Sequence, residues 1–261
     1  MTTAIENMFK DKVLGHPAGL FVLFFTEMWE RFSYYGMRAL LVMFFTASLL
    51  DGGWGWPREH AYAIFGTYTS LVYLSTLLGG YFADKKIGYR YAVVIGALLM
   101  TLGHGAMAIE TPFFIYLGLT LLVFGSGFFK PNMTSIISEM YKGKDEKKDG
   151  AYTIFYMGVN AGAFLGILLC GYLGEQVGWR WGFGLAGIFM LFGLLQFWFA
   201  QNIFGDIGTK PVKVDSNAVE LSPEEPKLNP FTSLQLGLIA IAGILGISWI
   251  FNDPISKISE G

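Results

Sequence analysis

The stretch TEMWERFSYYG, residues 26–36, places two acids and a base close together in an otherwise apolar run, with Arg38 just beyond. Carboxylates can take up and release a proton. Guanidinium and ammonium groups can hold a carboxylate, and tyrosine adds a flat face with a hydroxyl at its tip. On a helix, at about 100° per residue, Glu27, Arg31, Tyr34 and Arg38 follow an i, i+4, i+7, i+11 pattern and form one stripe. Glu30 lies beside the stripe, one turn from Tyr34, and Tyr35 borders its other edge.

The surroundings make this stripe unusual. The chain of 261 residues is 53% hydrophobic and 17% aromatic but only 15% charged, whereas a soluble domain carries about 25% charged residues. Apolar runs recur at 20–50, 61–83, 91–109, 112–140, 151–173, 181–200 and 234–251. A span needs about 20 mostly apolar residues, so these predict six transmembrane helices and a seventh, shorter one. Turned toward lipid, the charged stripe of the first span would cost about 2.5–3.5 kcal/mol or more per central charge. It is therefore expected to face protein or a water-filled cavity. It could be an ion-paired packing device or a proton and ligand site. Buried ion pairs add little net stability, because desolvation offsets their attraction, which favours the second.

Other spans supply partners. Lys130 interrupts the apolar run LLVFGSGFFKPN of span 4, and Pro131, which removes a helical hydrogen bond, follows it. In span 2, Tyr62, Thr69, Tyr73 and Thr76 share a face; in span 5, Tyr152, Tyr156 and Asn160 are spaced i, i+4, i+8. Together with the charges, Tyr34, Tyr73 and Asn160 suggest the wall of a hydrated cavity. Gly158, Gly162 and Gly166 recur every fourth residue in span 5, a spacing that lets helices pack closely. The loop GYFADKKIGYR, residues 80–90, combines an acid at a helix end, basic residues and a turn glycine, with Asp84 expected to face Arg90 or a helix N-terminus.

Basic residues cluster on one side of the predicted spans: Lys10, Lys12, Lys85, Lys86, Arg90, Lys142, Lys144, Lys147, Lys148, Lys210, Lys213 and Lys227. The positive-inside rule puts that side and the N-terminus in the cytoplasm. The expected organisation is a cytoplasmic N-terminus at 1–18 and a six-helix bundle at 19–204. A cytoplasmic linker at 205–232, an accessory transmembrane helix at 233–251 and a tail at 252–261 follow. The linker reading rests on its polarity, on four prolines and on the acidic stretch ELSPEEP. The apolar start is too long for a signal peptide. The single cysteine, Cys170, reads as a buried hydrophobe, and the net charge of −2 gives no reason to expect nucleic acid.

Four motifs, in order and on the expected spans, resemble a known family. EMWERFSYYG is similar to the ExxERFxYYG motif of proton-dependent oligopeptide transporters, the peptide branch of the major facilitator superfamily. GFFKPN resembles its span 4 signature and FYMGVNAGAF its span 5 signature, and GYFADKKIGYR resembles the superfamily-wide loop motif between spans 2 and 3. The resemblance covers about residues 15–204 and implies an all-α integral membrane protein, here the N-terminal six-helix bundle of such a carrier with one accessory helix.

By that resemblance, Glu27, Glu30, Arg31 and Lys130 belong to the proton-coupling group, with Lys130 pairing with the acids. Tyr34, Tyr35, Arg38, Tyr73, Lys130 and Asn160 line the peptide site, and Gly80, Asp84, Gly88 and Arg90 form a conformational hinge loop. The implied function is proton-coupled symport of di- and tripeptides by alternating access at a bacterial inner membrane, without covalent chemistry, metal or cofactor other than the coupling proton. The implied partners are peptide, proton, lipid bilayer and a C-terminal bundle that these residues do not include. Eukaryotic members carry a span 2 histidine where Gly66 stands here, and neither His60 nor His104 is expected to replace it. A related carrier for another small solute, a non-transporting peptide sensor and a homodimeric carrier are the alternatives.

Overall fold

The computed structural model describes residues 12–210 and, beyond them, positions 232, 234, 237, 238, 241, 244, 245 and 248. A two-residue strand pair, β1 (Lys12–Val13) and β2 (His16–Pro17), folds as an antiparallel hook before the first helix. Six long helices follow: α1 (Ala18–Thr46), α2 (Arg58–Phe82), α3 (Tyr89–Met107), α4 (Pro112–Met140), α5 (Asp145–Gln176) and α6 (Trp179–Ala200). Of the positions described past 210, those from 234 to 248 are helical, and Leu234, Leu238, Ile241, Ile244 and Leu245 are exposed. The remainder of the expected linker, accessory helix and tail lies outside the described residues.

Five of these helices are long and apolar enough to cross a membrane. The sixth, α1, runs for 29 residues, and Glu27, Glu30, Arg31 and Arg38 interrupt its hydropathy. Helix ends follow local chemistry. Pro112 occupies the first turn of α4, where a missing N–H costs nothing. Asp145 and Glu146 complement the N-terminal dipole of α5. A π turn at Ala83–Ile87 ends α2, and Gly88 closes it at φ +81°.

The helices pack in two trios. Helix α1 lies against α5 and α6, α4 lies against α2 and α3, and α3 meets α6 to join the trios. Small residues set the spacing. A Cβ on Gly158 of α5 would stand 2.9 Å from the Phe24 carbonyl oxygen, and one on Gly162 would stand 3.0 Å from Arg31 Cβ. Gly166 faces the Phe32 backbone, and Cys170, fully buried, faces Gly36. These glycines therefore form a ridge against the α1 backbone. Between α2 and α4, Ser75 Oγ donates to the Val123 carbonyl at 2.7 Å, and Gly79 touches the Gly127 backbone.

At the end of the bundle that carries the basic loops, His16 Nδ1 lies 2.7 Å from the Tyr141 hydroxyl and ties the hook to the end of α4. Burial, and then the nearby Lys147 ammonium, hold the His16 ring below its usual titration range. The opposite end is closed by aromatic residues: Trp54 packs on Phe44, Phe45 and Trp56, and Trp179 Nε1 donates to the Asp51 carbonyl at 2.9 Å.

Candidate functional site

The ridge of α5 glycines presses α1 into one orientation and so turns its charged stripe toward the bundle. Glu27, Glu30 and Arg31 are all buried, at 6%, 0% and 6% exposure, although α1 is the helix that must pass the apolar layer. Arg31 holds both acids. Its Nε lies 3.0 Å from Glu27 Oε1 and pairs also with Glu30 Oε2. One guanidinium thus serves two carboxylates. Glu27 Oε2, Glu30 Oε1, Arg31 Nη2 and the Tyr34 hydroxyl are buried without a hydrogen-bond partner among the described residues. The cluster carries more polar capacity than the protein around it uses.

Aromatic faces surround the cations. The Arg31 guanidinium stands 5.2 Å from the ring centroid of Tyr34 and 6.0 Å from that of Tyr35, and Arg38 lies 4.9 Å from the Phe65 ring. Lys130 reaches in from α4, with Nζ 4.5 Å from the Tyr34 ring and 5.4 Å from the Tyr73 ring. It remains within electrostatic reach of Glu27, Glu30, Arg31 and Arg38. The expected direct pairing of Lys130 with the span 1 acids is not what the structure shows. Among the described residues Lys130 forms no ion pair, because Arg31 already takes both carboxylates and the amine settles over the tyrosine rings.

Six of the expected site residues are thus brought together with Lys130: Glu27, Glu30, Arg31, Tyr34 and Tyr35 on α1 and Tyr73 on α2. Arg38 borders them, one turn above Tyr34 and on Phe65. Asn160 is exposed on α5, with its amide donating to the Tyr156 carbonyl at 3.0 Å. Tyr62 is also exposed. His60 packs its ring 4.6 Å from Trp56, and His104 is fully buried in α3, so neither adjoins the acids.

The hinge-loop residues divide. Gly80 lies in the last turn of α2, near Pro131, and Asp84 is exposed in the π turn. Of the two partners expected for Asp84, Arg90 turns instead to the chain after α6, while Asp84 interacts with Tyr89, the first residue of α3.

Tyr68 belongs beside the cluster and was missed by the helical pattern, which selected Tyr62, Thr69, Tyr73 and Thr76 on α2. It is 3% exposed, feels the charges of Glu30, Arg38 and Arg31, and keeps a buried hydroxyl without a partner. It also walls a cavity of about 380 Å³ between α2 and α4, with Ile64, Leu71, Leu119 and Val123 among the lining. That cavity is apolar and contains none of the charged residues, which lie in the cluster beside it.

Known proteins resemble this chain in sequence and in fold. The model described as PTR2, POT family, matches residues 90–221. The peptide transporter YePEPT of Yersinia enterocolitica subsp. palearctica is 45% identical over 186 residues, which are 70% of this chain and 36% of that protein. A di-/tripeptide transporter of Lactococcus lactis subsp. lactis is 37% identical over 251 residues, 94% of this chain and 48% of that protein. The crystal structure of a peptide transporter POT in complex with sulfate superposes with a TM-score of 0.76 at 37% identity, over 98% of this chain and 50% of that one. The chain spans about half the length, or less, of the relatives it matches. Its fold is the all-α membrane bundle of those transporters, and the family model, reaching across half of the chain, shows that it belongs to the POT family.

Proposed function

We propose that the protein carries di- and tripeptides across a bacterial inner membrane and couples their entry to protons. The observation that carries this reading is the sharing of one guanidinium by two buried carboxylates. Lys130 balances the formal charge from a distance, but only Arg31 touches the carboxylates, so the second acid is poorly compensated at low dielectric, where isolated charge is costly. A single proton on either acid leaves one neutral pair. The two acids and Arg31 would then titrate as one coupled group.

A zwitterionic peptide also needs a cationic end. Lys130 and Arg38, held over aromatic rings rather than in ion pairs, suit its carboxylate, and Tyr34, Tyr35, Tyr73 and Asn160 suit its backbone. A carboxylate drawn to these cations changes the field at the nearby acids, which would link substrate to proton. In this reading residues 19–204 form one of two bundles that rock about a midplane site, with 205–232 as the linker, 233–251 as an accessory helix and the basic end in the cytoplasm. The proton is the only coupling agent, and no cofactor takes part.

The test is uptake of a labelled dipeptide by the protein in liposomes. Accumulation that requires an inward proton gradient and is competed by unlabelled di- and tripeptides is expected. Binding without uptake would favour a sensor, and competition by a different class of small solute would move the substrate assignment.

A further inference from the structure

The chain leaving α6 stays on the bundle. Residues Gln201–Phe204 form a 3-10 turn, and 205–210 fold back beneath α3 and α4. Phe204 is fully buried; its ring stacks 5.9 Å from Phe197 and fills the space left by Gly19 of α1. Ile207 is buried as well.

The hydrogen bonds from the bundle to this segment are made to its backbone. Arg90 donates three times: its N–H to the Gly208 carbonyl at 3.0 Å, its Nε to the Ile207 carbonyl at 2.6 Å, and its Nη2 to the Gly205 carbonyl. Glu139, from the end of α4, accepts the Gly208 N–H at 3.1 Å. Asp206 adds an opposite charge near Arg90. Beneath them, Gly88 sits at φ +81°, and a Cβ there would stand 2.5 Å from the Thr209 carbonyl oxygen. Gly208, at φ +71°, turns the segment where Arg90 Cγ would lie 3.2 Å from any added Cβ.

We propose that Gly88, Arg90 and Glu139 form a latch for the backbone of residues 205–209, so that the chain beyond Lys210 starts from a fixed point on the bundle. The parts fit the task. A planar guanidinium presents donors in a fixed fork and can serve two carbonyls of one turn together. A carboxylate receives the one N–H that the turn offers toward α4, and a residue without Cβ lets two backbones touch. The α2–α3 loop is thereby joined mechanically to the segment after α6, so displacement of one carries the other. This assignment does not depend on what the protein transports.

The experiment uses the protein expressed whole from its own gene, in lipid nanodiscs, read by amide exchange. Arg90→Ala and Gly88→Ala, unrelated in chemistry, should each raise exchange across 205–209 by about tenfold or more, with α1 and α5 still protected. Glu139→Gln keeps an acceptor and should retain most protection, whereas Arg90→Lys, a single ammonium, should not. Unchanged exchange in Arg90→Ala or in Gly88→Ala overturns the latch. So does an equal rise throughout α1 and α5, or full protection in Arg90→Lys.

Discussion

Lys130 Nζ lies 4.5 Å from the ring centroid of Tyr34, while the acids it could have paired with are both held by Arg31. A partly desolvated ammonium over an aromatic face gains about 1–2 kcal/mol. The ring, and not the hydroxyl, makes that contact. Tyr34→Phe should therefore hold peptide affinity within about threefold, and Tyr34→Leu should weaken it by about 5–30-fold, at 1.4 kcal/mol per tenfold. Equilibrium binding of a labelled dipeptide measures both. Equal losses would shift the role to the hydroxyl.

Glu30→Gln should suppress gradient-driven uptake more than peptide counterflow. Glutamine keeps the size and one acceptor but does not cycle a proton. Paired liposome assays, with and without a gradient, separate the two modes. Equal loss in both would indicate a collapsed site, and full gradient-driven uptake would remove Glu30 from the proton path.

Close helix contact makes a prediction about stability. A Cβ on Gly127 would fall 2.6 Å from the Ser75 carbonyl oxygen, so Gly127→Ala should destabilise the α2–α4 contact by about 1–3 kcal/mol through overpacking. Gly66, on the same α2, has no atom within 4 Å of an added Cβ. There alanine should be neutral or stabilise by up to about 1 kcal/mol through helix propensity. Thermal unfolding of both variants in one detergent makes the comparison.

The hook before α1 should loosen in acid. His16 titrates below its usual value because burial, and then Lys147, disfavour the imidazolium. A histidine held neutral contributes its full docking free energy above the ordinary imidazole value of 6.5, and that contribution falls as pH drops below it. Protection of the Val13 and His16 amides, relative to their intrinsic exchange rates, should therefore fall between about pH 7 and pH 5. His16→Gln should remove that pH dependence. A flat profile in the wild-type protein would contradict the assignment.

The charged stripe of α1 was readable from sequence because charge in an apolar helix leaves few faces to choose from. Period and cost together turned Glu27, Glu30 and Arg31 inward. The partner of Lys130 was not readable, since it depends on which base wins the carboxylates. Arg31, on the same helix and one and four residues away from the acids, needs no other helix to reach them. Tyr68 was hidden because α2 is aromatic and apolar on more than one face, so periodicity alone does not rank its tyrosines. The docking of 205–210 left little trace, because Arg90 and Glu139 grip carbonyls and an N–H that every sequence has.

The glycine ridge of α5 has a mechanical consequence for α1. Rolling α1 by one residue, about 100°, would drive side chains into the α5 backbone at Gly158, Gly162 and Gly166. The azimuth of the stripe is thus locked, and α1 has no torsional freedom with which to present its acids first to one side and then to the other. Any change in which compartment they meet would then carry α1 and α5 together, with the charges as fixed cargo.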